Sequence, residues 1–480
     1  MTVKAFVSPT QSSFLLSHTP KRSKKRPSPC AVRASAENAF IGIDFGTSGA
    51  RSIVIDAQGS VLSSSKASYT STLPDHLATT WQSALFQLLQ DIPSDVKQRA
   101  KTLAIDGTSS TTLLIDAATG GPLPATPPKM YNDAQHPEIV EFVKTQIAPA
   151  DHTAAAPTST LCKVVSWWKE GKFLNDGSVL VLHQSDWLSS LLTGYRGVTD
   201  WNNALKLGFD PGTEEYPDWL ADCGLGFIHA LPQVVCAPGT PLAPVTPEIA
   251  SKTGLSSDCI VCAGTTDSIA AFLAAQVTEP GQAVSSLGST LAIKLLSETR
   301  VDDAKYGIYS HRLGDMWLVG GASNSGGGVL RKFFTDEQLQ QLTRRILEEN
   351  PGLRKPTGLG DSYVVLPAVG ERFPVNDPNL RPHMEPRPED DAVFLQALFE
   401  SMANTEGIAY RKLAELGATP VCEVWTAGGG AQNPVWMELR ARAIGVPVGA
   451  ARQGEAAYGA AVLARSGWEL LQQESSPLLM

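Results

Sequence analysis

The sequence predicts an α/β protein built from two related halves that face each other across a cleft. Three observations carry this. Residues 41–56, IGIDFGTSGARSIVID, are two apolar runs joined by a turn of small donors, the pattern of a β-hairpin. Residues 283–295, AVSSLGSTLAIKL, repeat that design around Gly288, Ser289 and Thr290. Between and after these hairpins, strand-like runs alternate with helix-like ones, the mark of an α/β fold, and 480 residues suffice for two domains.

Gly46 and Gly49 allow the close backbone approach an anion needs, and Thr47 and Ser48 add hydroxyl donors. Asp44 stands at the mouth of this turn, where a carboxylate can hold a hydrated divalent cation. The set suits a metal-bound polyphosphate. A single such hairpin is often only a hairpin; the second one gives the pattern its weight.

Further along, residues 74–90 predict a helix with Trp81, Leu85, Leu88 and Leu89 on one face. Residues 100–116 predict strand, turn, strand, with Asp106 just before a hydroxyl-rich turn at 107–112. Asp106 either faces the cleft beside Asp44 or caps the Ser109–Ser110 turn. Residues 260–276 predict a strand, a Gly-Thr-Thr turn and an Ala-rich helix, with Asp267 near the helix start, as a cap or as a chemical group. A strand at 317–319 leads to a glycine-rich stretch, 320–328, expected to open a helix. Asn324 within it either approaches a nucleotide or serves the turn. Residues 391–416 predict a long helix stopped by Gly417, followed by a strand at 421–426, three glycines at 428–430, Asn433 and Pro434 as N-cap and first helical residue, and a last helix at 455–466.

Composition narrows the class. Apolar residues make up 42%, the net charge is −9, and no run of 18 apolar residues occurs, so neither nucleic acid nor a membrane is an expected partner. Residues 1–36 hold seven Lys and Arg, no acid and many hydroxyls, the composition of an organellar transit peptide, and point to the chloroplast stroma. Seven scattered cysteines argue against a disulfide framework. Cys259 and Cys262, three apart on a strand, are expected to be buried thiols pointing to opposite faces.

DFGTSGAR at 44–51, TDWNNALKLGFDP at 199–211, GTTD at 264–267, LGSTLAIK at 287–294, LPAVGERFPVNDPNLR at 366–381 and GGGAQNPVWMELRARAIGVPV at 428–448 together resemble the FGGY carbohydrate kinases. The likeness implies two ribonuclease-H-like domains of the actin/hexokinase/Hsp70 ATPase fold, divided here as 38–258 and 259–470. It implies ATP and Mg²⁺ as cofactors, with Asp44 at the metal and Asp267 as catalytic base. Gly46, Thr47, Ser48, Gly288, Ser289 and Thr290 become phosphate-loop donors, and Gly428, Gly429, Asn433 and Asn324 nucleotide neighbours. Ser109, Ser110, Asp133, Asp44 and Asp267 become sugar ligands.

Asp133 stands where relatives carry Trp-x-Asp-x-Arg, but the Arg position is Gln135. Relatives specific for xylulose or glycerol carry a Gln-containing loop where this chain has the Gly107–Thr112 hydroxyls. The expected activity is therefore D-ribulose to D-ribulose 5-phosphate, by a monomer or homodimer. D-Xylulose phosphorylation, or a catalytically silent nucleotide-binding regulator, is the alternative.

Overall fold

The structure is a computed structural model that describes residues 38–173 and 177–474; the expected transit peptide, 1–36, lies outside the described residues. Its strands, in order, are β1 (Ala39–Phe45), β2 (Gly49–Ile55), β3 (Val61–Ser68), β4 (Ala100–Gly107), β5 (Thr112–Asp116), β6 (Val179–His183), β7 (Val198–Asp200), β8 (Val234–Cys236), β9 (Pro241–Pro244) and β10 (Ile260–Thr266). They continue as β11 (Gln282–Leu287), β12 (Leu291–Ser297), β13 (His311–Leu313), β14 (Met316–Ser323), β15 (Glu423–Ala427) and β16 (Val448–Ala450). Two six-stranded mixed sheets dominate, ordered β3-β2-β1-β4-β10-β9 and β13-β14-β12-β11-β15-β16. Each contains one of the two hairpins, β1–β2 and β11–β12, as the duplicated pattern predicts.

The helix Leu77–Asp91 buries Trp81, Leu85, Leu88 and Leu89 completely, the face its periodicity predicted. Burial of each such side chain is worth about 1.5–3 kcal/mol against exposure. The helix Asp391–Glu415 ends before Gly417, whose φ of 101° few other residues tolerate. Cys259 and Cys262 are fully buried in different apolar clusters on opposite sides of the first sheet. Trp167 and Trp201 are buried core aromatics. No described helix is long and apolar enough to cross a membrane.

Residues 100–116 form the expected strand, turn and strand, with β4 between β1 and β10 and β5 paired with β6 in a separate small sheet. Three expectations are corrected. The division expected at 258/259 shifts, because β10 hydrogen-bonds to β4 and the chain leaves the first sheet only after the helix Asp267–Ala274. Gly320 and Gly321 continue β14, held by β12, and only the short helix Gly327–Leu330 follows. The final helix, Ala456–Glu474, is longer than expected and returns to the first sheet, where Thr102 donates to the Ala464 carbonyl at 2.6 Å. This seat requires glycine: a Cβ on Gly42 would lie 2.1 Å from the Ala457 carbonyl oxygen, and one on Gly459 1.8 Å from that of Ala270.

In the second half, Arg440 and Glu406 form a fully buried bidentate pair with contacts of 2.5 and 2.7 Å. Thr426 on β15 and Ser285 on β11 complete it. The pair locks the helix Pro434–Ile444 to the helix Asp391–Glu415 and to the second sheet. Removing one partner strands the other charge in the core, so Glu406→Gln is expected to cost about 3–5 kcal/mol. Denaturant unfolding checks this, and a loss below about 1 kcal/mol would contradict it.

Candidate active site

β1, β4 and β10 run parallel, and each carries an acidic residue at or just beyond its C-terminal end. Asp44 pairs in register with Asp106, and Thr265, two residues before Asp267, lies opposite Asp106 on the other side. Three carboxyls far apart in sequence thus face one another. The capping reading fails for both Asp106 and Asp267. Asp106 does not cap the Ser109–Ser110 turn: it is fully buried and neither oxygen has a protein donor. Asp267 is not the N-cap; Thr266 holds that position, and the Asp267 carboxyl reaches only the adjacent Ser268 amide, at 2.6 Å.

Electrostatics follow from this crowding. Burial first, and the Asp44 carboxylate second, hold Asp106 well above the usual carboxylate range. Of the two neighbouring carboxyls, Asp106 is the deeper and the more strongly raised. Asp44 is raised by burial, against which its contact with Asp106 and the charge of Arg51 act. Asp267 is raised by burial and by Asp44, while the Ser268 amide, Lys294 and Lys206 pull it back. Lys294 donates to the Ser268 carbonyl, and burial lowers it to about 8.

The two glycine turns are open. The Thr47 and Ser48 side chains are exposed, while Gly46 N–H donates to the Gly49 carbonyl at 3.1 Å and Tyr69 donates to the Gly46 carbonyl at 2.9 Å. In the second turn, Gly288, Ser289 and Thr290 are exposed, and the Gly288 and Ser289 carbonyls accept from Gly327 and Gly328, both at 3.0 Å. A Cβ on Gly326 would lie 2.7 Å from the Ser289 carbonyl oxygen, so this seat also requires glycine. The turns are fixed by their backbones, and their hydroxyls are left for a ligand.

Gly428 has a φ of 86° and sits against the Leu287 carbonyl; Gly429 faces open space. Asn433 caps the following helix by accepting from Trp436 N–H at 3.0 Å, as its position predicted, and its amide donates to Thr343 at 2.9 Å. Asn324 serves the turn, the second of its two expected roles. Its side-chain amide donates to the Gly370 carbonyl at 2.9 Å, and its backbone N–H to Glu371 at 2.8 Å.

On the first half's side, Ser109 is half-buried and Ser110 is buried at φ 65° with an unpartnered hydroxyl. Asp133 is exposed and spends one oxygen on Met130 N–H at 2.6 Å. Sequence reasoning missed Lys294, Lys206 and Lys163. For Lys294 and Lys163 a signal was present: each is a lone cation inside an apolar run, LAIKL and LCKVV.

The donor set fits a divalent cation. Among the described residues no three acidic, His or Cys groups form a cage, but Mg²⁺ is commonly held by one or two carboxylates with water and substrate phosphate completing its shell. Asp44, only 8% exposed at a strand end beside an open turn, is suited to that part.

Residues 39–274 match the N-terminal domain, and residues 283–468 the C-terminal domain, of the FGGY family of carbohydrate kinases. A xylulose kinase of Staphylococcus epidermidis is 23% identical over 90% of this chain and 88% of its own length. A gluconokinase of Bacillus subtilis is 25% identical, but the match covers only 40% of either chain. Among solved structures, a xylulose kinase from Brucella ovis aligns with a TM-score of 0.75 at 23% identity over 90% of both chains.

Burial holds Asp106 above its unfolded value, so between the two the native state binds the extra proton, and stability falls as pH rises above the ordinary Asp range. Asp106→Asn, a neutral isostere, is expected to exceed the parent's melting temperature at neutral pH, with the gap closing on acidification toward pH ~4. A gap that widens on acidification would contradict the assignment.

Proposed function

We propose that this chain, which belongs to the FGGY family of carbohydrate kinases, transfers the γ-phosphoryl group of ATP to a hydroxyl of a ketopentose, D-ribulose in the first place, giving D-ribulose 5-phosphate. The observation that carries the reading is the parallel register of β1, β4 and β10, which brings Asp44 and Asp267, more than 200 residues apart in sequence, to the same end of the first sheet, where the Asp44 charge acts on Asp267.

Asp267 accepts the proton of the attacking sugar hydroxyl, because an alkoxide does not form freely at neutral pH. The sugar oxygen bonds to the γ-phosphorus as the bond to the β-phosphate oxygen breaks, leaving ADP. Thr47, Ser48, Ser289 and Thr290 supply hydroxyl donors to the phosphates from the two sides. A divalent cation held at Asp44 would neutralise phosphate charge. Lys294 and Lys206 oppose the burial and the neighbouring carboxylates that would otherwise protonate the base.

The turn 107–112 supports D-ribulose: it offers only Thr and Ser hydroxyls, and the Ser110 hydroxyl has no protein partner. D-Xylulose is the second reading, favoured by the xylulose kinases among the relatives. Retention of both Asp44 and Asp267 disfavours a silent regulator. The basic, acid-free first 36 residues support action in the chloroplast stroma.

Coupled ADP release across a panel of pentuloses, pentitols and aldonates, with product position read by NMR, tests the proposal. D-Ribulose is expected to give the highest kcat/KM; no stimulation by any sugar would overturn it. Asp267→Asn is expected to lose about 10²–10⁴-fold in turnover while binding ATP normally. Activity is expected to fall as pH drops through the raised pKa of Asp267, above the usual Asp range. Retained turnover in the variant would remove the base assignment.

A further inference from the structure

Lys163 carries a charge where the fold has least use for one. It lies mid-way along the helix Thr160–Lys169, which is buried almost all round, and it is 0% exposed. Among the described residues no carboxylate lies within ion-pair distance of it. Its ammonium donates to two main-chain carbonyls instead, Ser110 at 2.7 Å and Met130 at 2.6 Å. Burial lowers it to about 7, with Asp133 the leading charge that acts the other way. A buried ammonium is costly, and Met or Leu would fill the volume without that cost. What an apolar residue lacks is a donor for those two carbonyls.

The two carbonyls belong to different loops. Ser110 lies in the hydroxyl turn between β4 and β5, held at φ 65° with its own hydroxyl buried and unpartnered. Met130 opens the loop that carries Asp133, whose carboxylate accepts from Met130 N–H at 2.6 Å. A second tie runs parallel to the first: Tyr131 N–H donates to the Thr111 hydroxyl at 3.0 Å, and that hydroxyl contacts Thr108 at 2.5 Å. A side chain that only filled the core would not need two carbonyls from two loops, and the loops it joins are those that hold Ser109, Ser110 and Asp133.

We propose that Lys163 is the positioning residue of the sugar site, fixing the Ser109–Ser110 turn and the Met130–Asp133 loop in one spacing so that sugar recognition, and not nucleotide binding or phosphoryl transfer, depends on it. The inference rests on the ketopentose-kinase reading. It makes Lys163 a determinant of substrate choice that touches no substrate itself. A misplacement of about 1 Å between two groups of ligands is enough to lose a large factor in recognition.

The test is a steady-state comparison of the full chain with Lys163→Met, Lys163→Gln and Thr111→Val, varying D-ribulose at saturating ATP and then ATP at saturating D-ribulose. Lys163→Met is expected to raise the sugar KM roughly 10–100-fold with the ATP KM nearly unchanged. Lys163→Gln, which returns an amide donor without the charge, is expected to recover part of the loss. Thr111→Val, which cuts the parallel tie, is expected to raise the sugar KM in the same selective way, and with Lys163→Gln it decides the matter if Lys163→Met does not fold. Sugar KM unchanged in these variants, or sugar and ATP KM rising together, overturns the inference and leaves the activity standing. Absence of turnover in the parent chain overturns both.

Discussion

Three like charges cannot share a buried crevice, and the chemistry of this protein depends on how it meets that constraint. Parallel pairing of β1, β4 and β10 places Asp44, Asp106 and Asp267 side by side. The deepest, Asp106, is held well above the usual carboxylate range by burial and by the Asp44 charge. The outermost, Asp267, is kept available by cations from two directions, Lys206 from the first half and Lys294 from the second. Asp44, on the far side of Asp106 in the sheet, is partly offset by Arg51. One fold feature, three parallel strand ends, therefore places three residues of one type in three different electrostatic settings.

The second half contributes geometry more than charge. Its hairpin turn is seated on Gly326, Gly327 and Gly328, which no side chain could replace without displacing the Gly288 and Ser289 carbonyls. The buried Arg440–Glu406 pair holds the helix whose N-terminus follows the Gly428–Gly430 turn. The last helix crosses back and packs on β1 and β4 through Gly42 and Thr102. The chain end is thus tied to the strands that carry Asp44 and Asp106.

Local features were the most legible. Both hairpins, the helix 77–91, the Gly417 stop and the Asn433–Pro434 cap follow from turn chemistry and periodicity within a short window. Long-range partners were not legible. Nothing in residues 100–116 says that β4 chooses β1 and β10 over β5, because a buried parallel strand reads as apolar on both faces. The anchoring of Asn324 was hidden for a similar reason: its partners, Gly370 and Glu371, lie almost 50 residues away. Asp44 and Asp267 stood out beside glycine turns, whereas Lys163 and Lys294 showed only as cations out of place in apolar runs. Their meaning came from the carbonyls they meet.

The most direct test of the central claim is a carbon-13 NMR titration of aspartate carboxyls, assigned by single Asp→Asn variants at 44, 106 and 267. At neutral pH the account predicts a protonated Asp106 beside ionised Asp44 and Asp267, with the Asp44 and Asp267 titrations shifting when Asp106 is replaced. Three carboxyls titrating independently in the ordinary aspartate range would contradict it.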